Sequence, residues 1–354
     1  MRVVLTCDWF LKYASAQGAA LARAGVDVLL LCRAHAHEFG EDTAEREVAL
    51  ERARRAGVEV VEIPRRLSDA RALPDLLKIR RKLRRFAPDL AHAHDGADPR
   101  ALLLLRHLPT VLTLHDPVPH PGQPVPAARK RWFLHGSRDA WRSRADVLVV
   151  HSERLRSEVR LDPGQRCVVL PHGLDVLPDP LPPPAQRAVA FFGRLTPYKG
   201  LEVLARAMRR IWQVRPEVRL RVAGAGDAAL ALEDRRVDFE RSYLPEAELQ
   251  RFFSGVSLAV LPYTQASQTG VGSVAVGYGV PIVVSRVGGL PDLALDHSYV
   301  VEPGDDAALA DAIVRHIDDG SDVRGRVLSD VAAPRSWDSI AVQSISVYKE
   351  VLTQ

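Results

Sequence analysis

Six short runs rich in β-branched residues and leucine recur along the first half of the chain: RVVLT (2–6), VDVLLLC (26–32), VEVVEI (58–63), TVLTL (110–114), DVLVV (146–150) and CVVL (167–170). Helix-length stretches separate them. The runs are nearly continuous in apolar residues instead of alternating with polar ones, as strands buried on both faces must be. A chain with that rhythm is confined to parallel sheets covered by helices on each side, so the sequence predicts a doubly wound α/β fold.

A second series follows: AVAFF (188–192), a helix near 200–213, RLRVAG (219–224), VDFE (237–240), SLAVLP (257–262), PIVV (281–284) and YVV (299–301). Between the two series lies LPDPLPPPAQ (177–186), whose prolines neither join a central strand nor continue a helix. At 354 residues the chain has the length of two domains. The expected boundaries are a first domain over 1–176, a stiff linker over 177–187, a second domain over 188–335 and a terminal helix over 336–354. In the helix near 200–213, Leu201, Leu204, Ala205, Met208, Ile211 and Trp212 share one face, and Arg206, Arg209 and Arg210 the other. The terminal segment repeats that spacing in Trp337, Ile340, Ala341, Tyr348 and Leu352, with Ser336 placed as its N-cap.

Charge and cysteine content exclude several classes. Lysine and arginine number 48 against 44 acidic residues, and a net +4 does not by itself indicate a nucleic-acid partner. Cys7, Cys32 and Cys167 are odd in number and far apart, so they support neither a disulfide framework nor a structural zinc site. The opening MRVVLTCDWFLKYASAQ has Asp8 and Lys12 where a secretory segment needs an unbroken apolar stretch, and no later run is long enough to span a bilayer. The expected location is cytoplasmic.

Two local patterns carry chemistry. In GRLTPYKG (193–200) a strand ends and a helix begins, with Arg194 and Lys199 flanking the turn. Open α/β sheets bind ligands outside the carboxyl ends of their strands, where two cations suit a diphosphate. In YTQASQTGVGSVAVGYGVPIVV (263–284), Ser267, Gln268, Thr269 and Gly270 mark a helix start whose free N–H groups and dipole also favour a phosphate.

Taken in order, FFGRLTPYKG, VAGAGD (222–227), YLPEAELQRFFSGVSLAVLPY (243–263), the SQTGV loop, GYGVPIVVSRVGGLPD (277–292) and the closing SWDSIAVQSISVYKEVL resemble the C-terminal domain of GT-B glycosyltransferases, specifically the retaining family 4. The first half adds DLAHAH (89–94), TVLTLHDPVPH (110–120), RADVLVVHS (144–152) and VVLPHGLD (168–175), similar to the acceptor-side domain of that family. The resemblance implies two Rossmann-like domains facing a cleft, with the final helix crossing back to the first. It also implies a nucleoside-diphosphate sugar donor, a hydroxyl acceptor on a glycan, glycolipid or small metabolite, retention at the anomeric carbon, and no cofactor or metal. Arg194, Lys199 and the amides of Ser267, Gln268, Thr269 and Gly270 would then hold the diphosphate. Tyr243 and Leu244 would flank the nucleobase through backbone atoms, and His115 matches the family's cleft histidine, at the donor sugar or the acceptor.

The chain departs from the family pattern in two places. Val274 stands where the second of two glutamates is expected, and Gln265 or Ala266 where the first is. The first loop, CDWFLKYASAQG (7–18), has Lys12, Tyr13, Ser15 and Gly18 instead of the family's glycine pair.

The stretch 65–89 reads as a basic amphipathic helix, with Leu76, Ile79, Leu83 and Phe86 on one face and Lys78, Arg81, Lys82 and Arg85 away from it. It suits contact with an anionic membrane and a lipid-linked acceptor. In HAHD (92–95) two histidines face one side of a strand with Asp95 near, which invites a metal. His35, His37, His120, His151 and His172 do not complete a compelling ligand spacing, so no metal site is assigned.

Overall fold

The computed structural model describes residues 1–34, 43–64, 72–95, 98–115, 128–184, 187–226, 232–242, 244–266 and 269–353. The chain divides into two compact units, Met1–Gly173 with Trp337–Gln354, and Leu174–Ser336.

The first unit runs β1 (Arg2–Cys7), α1 (Leu11–Arg23), β2 (Asp27–Arg33), α2 (Thr43–Arg55), β3 (Glu59–Ile63), α3 (Ala72–Phe86), β4 (Leu90–His94) and α4 (Pro99–Leu105). It continues through β5 (Thr110–Thr113), α5 (Ala128–Arg144), β6 (Val147–Val150), α6 (Glu153–Glu158) and β7 (Arg166–Val169). All seven strands are parallel, in the order β3-β2-β1-β4-β5-β6-β7. The order reverses between β1 and β4, which opens a crevice at the carboxyl ends of those strands.

Each strand has two buried faces, which explains the continuous apolar runs. Val3, Leu5, Leu90, Val111, Val147 and Val149 pack on one side with residues of α1, and Val4, Ala91, Ala93, Leu112, Leu148 and Val150 on the other. Because side chains alternate along a strand, His92 and His94 share the first face with Leu90, Thr113 with Val111, and the parity continues to His115 and His151.

The second unit runs β8 (Ala188–Phe192), α7 (Leu201–Val214), β9 (Arg219–Ala223), β10 (Val237–Glu240), α8 (Glu246–Ser254), β11 (Leu258–Leu261), α9 (Gly270–Gly277), β12 (Ile282–Ser285), β13 (Val300–Val301) and α10 (Asp306–Asp319). A single turn, α11 (Arg324–Arg326), then runs into a π-helical stretch, Val327–Ala332. The sheet repeats the same connectivity, β10-β9-β8-β11-β12-β13, again all parallel. Residues 174–184, which include most of the stiff linker expected over 177–187, are built into this unit: Leu177 N–H donates to Gly277 O, and Leu181 is buried in the core. The predicted face of α7 is buried and its arginines exposed.

The last helix, α12 (Trp337–Leu352), belongs to the first unit, packing against α1. Trp337, Ile340, Ala341 and Tyr348 are buried as their spacing predicts. Leu352 is a correction: it is 40% exposed, and Ser344, Val347 and Val351 complete the buried stripe in its place. A 3.6-residue period carries the stripe through Val351, leaving Leu352 turned away on the last turn.

One glycine fixes the β8–α7 connection. Gly200 caps α7 in the left-handed region at φ 72°, and a Cβ there would sit 1.9 Å from the carbonyl oxygen of Pro262. Gly200→Ala is expected to destabilise the protein by about 3 kcal/mol, combining the left-handed penalty with backbone displacement. Equilibrium denaturation measures it, and a loss under ~1 kcal/mol would contradict the close approach.

Candidate functional site

The turn after β8 builds a concentration of positive charge. Arg194 is exposed, Lys199 is only 6% exposed, and neither forms an ion pair or side-chain hydrogen bond among the described residues. The Lys199 ammonium lies 5.3 Å from the centre of the Tyr263 ring. Burial, reinforced by the like charge of Arg194, pushes its pKa down to about 8. Two cations without a counter-ion among the described residues, one of them buried, make a site that gains free energy by admitting an anion.

The first turn of α9 borders that charge. A Cβ on Gly193, whose φ is 114°, would meet Val271 Cγ2 at 2.7 Å and Lys199 Nζ at 3.0 Å, so the bare glycine is what lets these groups converge. Thr269 is the N-cap of α9, its hydroxyl accepting from the N–H of Gly272. The N–H groups of Gly270 and Val271, in the first turn, have no intrahelical partner. A Cβ on Gly270 would meet no protein atom within 4 Å, so the helix start faces open space. Arg194, Lys199, Thr269 and Gly270 therefore lie at the carboxyl ends of β8 and β11. Ser267, Gln268 and Tyr243 lie outside the described residues. The Leu244 side chain is buried in the core of the unit. No carboxylate lies on α9, GVGSVAVG, where Val274 replaces the expected glutamate.

In the first unit, five histidines converge. His92, His94, His115 and His151 are buried, and His172 is close to them, with its ring 5.2 Å from that of His151. Tyr13 of α1 sets its ring edge against His94, His115, His172 and Trp337, and Phe10 stacks on His115 at 3.8 Å. Burial lowers every one of these imidazoles, with neighbouring imidazoles adding to the effect in His92, His94, His115 and His151: His92 and His151 to about 3, His172 to about 4, His94 and His115 well below 6.5.

His115 uses both ring nitrogens within this cluster, Nε2 at 3.1 Å from His94 Nδ1 and Nδ1 at 3.0 Å from His151 Nε2. Asp116 lies outside the described residues, as do His35, His37 and His120. Among the described residues no three His, Cys, Asp or Glu side chains are arranged to hold a metal ion.

A charge network lies at the same sheet edge. Arg33, ending β2, bridges Asp8 at 3.1 Å and Asp98 at 3.3 Å, while Arg100 closes a bidentate pair with Asp98 that is almost wholly buried. Burial raises the Asp8 carboxyl to about 7, against the opposing pull of Arg33.

The sequence did not assemble these clusters, although it held the signal. His94, His115 and His151 each stand at or within two residues of a strand end, on the same side-chain parity, and sheet order makes neighbours of β4, β5 and β6. Strand-end position and parity find them, where metal-ligand spacing does not.

Two family models match the chain: "Glycosyltransferase Family 4" over residues 12–176 and "Glycosyl transferases group 1" over residues 186–319. A D-inositol 3-phosphate glycosyltransferase of Corynebacterium efficiens is 33% identical over 186 residues, 47% of this chain and 43% of that protein. The chain spans less than half the length of the first curated relatives it matches. The sucrose-phosphate synthase of Thermosynechococcus elongatus is 19% identical and superposes over all of this chain and 99% of its own, with a TM-score of 0.66. Anabaena HepE, solved in complex with UDP and glucose, is 19% identical over 98% of this chain and 99% of its own, with a TM-score of 0.63. Matched by these models across both units and sharing this fold end to end, the chain belongs to the family 4 glycosyltransferases of GT-B architecture.

Proposed function

We propose that the chain transfers a glycosyl group from a nucleoside-diphosphate sugar to a hydroxyl acceptor, with retention at the anomeric carbon. The observation that carries this reading is the pair Arg194 and Lys199, without an ion-pair partner among the described residues, beside the first turn of α9. As the bond from the anomeric carbon to the diphosphate breaks, negative charge grows on the leaving oxygen. Fixed cations and helix N–H groups already in place stabilise that charge more than they stabilise the intact donor. Arg194 and Lys199 fill the role a divalent ion takes in other transferases, so the reading needs no cofactor. The acceptor oxygen attacks from the face the diphosphate leaves.

UDP and glucose bound to Anabaena HepE support a uridine nucleotide as the first donor to test. The Corynebacterium relative, a D-inositol 3-phosphate glycosyltransferase, supports a polyol acceptor. A second reading, donor binding without transfer, is favoured by the missing carboxylate on α9. Bound nucleotide with neither transfer nor slow donor hydrolysis would select it.

Peripheral membrane contact is part of the proposal. Residues 65–71 lie outside the described residues; on α3, Ile79 and Leu83 are buried, while Leu73, Leu77, Lys78, Arg80, Arg81, Arg84 and Arg85 are exposed. That outer face joins apolar and basic side chains as an anionic surface requires.

Thermal shifts with UDP, GDP, ADP and dTDP test the donor class. A ligand at ~100 times its Kd adds about 2.7 kcal/mol, a rise of several degrees in Tm. The response carries a pH signature. Below pH 8 Lys199 is already protonated, whereas above it binding must first restore the proton, so Kd is expected to weaken by up to about tenfold per pH unit above 8. A flat Kd from pH 7 to pH 9.5, or no response to any nucleotide, would count against the site.

A further inference from the structure

The histidine cluster contains a hydrogen-bonded series with a defined polarity. His151 Nδ1 lies 2.9 Å from the carbonyl oxygen of Leu170, which only accepts, so that nitrogen carries the hydrogen. A neutral imidazole then has its lone pair on Nε2, and His115 Nδ1, 3.0 Å away, must donate to it. His115 Nε2 in turn accepts from His94 Nδ1 at 3.1 Å. The series therefore ends on a lone pair at His94 Nε2, an atom that is fully buried and has no hydrogen-bond partner among the described residues. All three rings are held neutral by burial, so each has one hydrogen and one lone pair to place.

A second series runs beside it. Gln17 donates to Ser344 at 3.4 Å, and the hydroxyl of Tyr348, one turn further along the same helix, lies 2.6 Å from His92 Nδ1. His92 Nε2 lies 2.7 Å from Thr113 Oγ1, so this ring has at each nitrogen a hydroxyl able to donate or accept. The stacked neighbours His92 and His94 belong to separate series.

A buried acceptor with nothing to accept costs free energy unless a ligand or water supplies a donor. His94 ends β4, at the side of the sheet crevice where open α/β folds take their ligands. We propose that His94 Nε2 is an acceptor kept open for a sugar or polyol hydroxyl, and that His115 and His151 are positioning residues that fix its polarity. The ligand class rests on the glycosyl-transfer reading; the polarity does not.

The test uses the full chain labelled with 15N-histidine, in long-range imidazole spectra that separate N–H from lone-pair nitrogens. Expected are Nδ1–H forms for His94, His115 and His151. An Nε2–H at His94 would overturn the proposal without any variant being made. In His151→Leu, His115 loses its acceptor and the series reverses, placing the hydrogen on His94 Nε2; in His151→Gln the side-chain oxygen accepts in the same place and the wild-type form returns. A structural role alone would treat the two variants alike.

Ligand arms identify the hydroxyl. Movement of His94 Nε2 with UDP-glucose but not UDP assigns it to the donor sugar, and movement with myo-inositol assigns it to the acceptor. No movement with either refutes the proposal. The KM of the substrate so identified should rise about tenfold in His151→Leu and recover in His151→Gln, the size of one hydrogen bond turned from attractive to repulsive. Failure of the activity reading would show separately, as the absence of any nucleotide thermal shift.

Discussion

Acidification from pH 7 to pH 5, above the ordinary carboxylate range, is expected to lower the Tm of the histidine-bearing unit by at least about 10 °C. The five clustered imidazoles are neutral in the fold. Their folded pKa values are about 3 for His92 and His151 and about 4 for His172, with His94 and His115 also well below the ordinary 6.5 that holds in the unfolded chain. Between those limits the unfolded chain binds more protons, so stability falls as pH drops below 6.5. His92, His151 and His172 each contribute a loss of about 2 kcal/mol at pH 5, and His94 and His115 add to it in the same direction. Asp8 acts the other way: its raised pKa of about 7 makes the protonated carboxyl of the fold an advantage as pH falls, returning about 2 kcal/mol. The net is a loss of at least about 4 kcal/mol. Melting followed by tryptophan fluorescence at pH 7, 6 and 5 measures it. A Tm constant to within about 3 °C would mean that the cluster is wetter, or charged, in the native protein.

Lys199→Met should raise stability and abolish most turnover at once. Below pH 8 the protonated amine costs the fold about 3 kcal/mol, because its pKa is about 8 in the fold and 10.5 unfolded; the cost disappears as pH rises through that interval. Methionine keeps the apolar stem beside Tyr263 and removes that cost, so Tm at pH 7 should rise by several degrees. The same change withdraws a charge from the leaving diphosphate, for which a loss of about 10²–10³ in kcat is expected. Arg194→Ala should lose turnover similarly but leave Tm almost unchanged, since its side chain is exposed. Stability and activity moving in opposite directions for Lys199 separates a functional cation from a structural one. Unchanged turnover in both variants would end the diphosphate assignment.

The Arg194 and Lys199 pair was legible because both cations lie within one short turn, and a strand followed by a helix places that turn at a sheet edge. Thr269 and Gly270 were legible for the same local reason: a small polar run before an apolar helix marks its start. The face of α7 followed from its period, and the terminal helix followed its own as far as Tyr348. The histidine series could not be read that way. His94, His115, His151 and His172 are separated by 21 residues or more, and only the parallel order β4-β5-β6-β7 brings their strand ends together.

The same division holds for the chain as a whole. The sequence alone determined two parallel α/β units and a cationic turn, because apolar continuity and local turns act over a few residues. The tertiary structure decided that Lys199 is buried and that the imidazoles of His94, His115 and His151 join in one hydrogen-bonded series. Burial, and the direction of a hydrogen bond, depend on which distant groups close around an atom, and no local spacing encodes them.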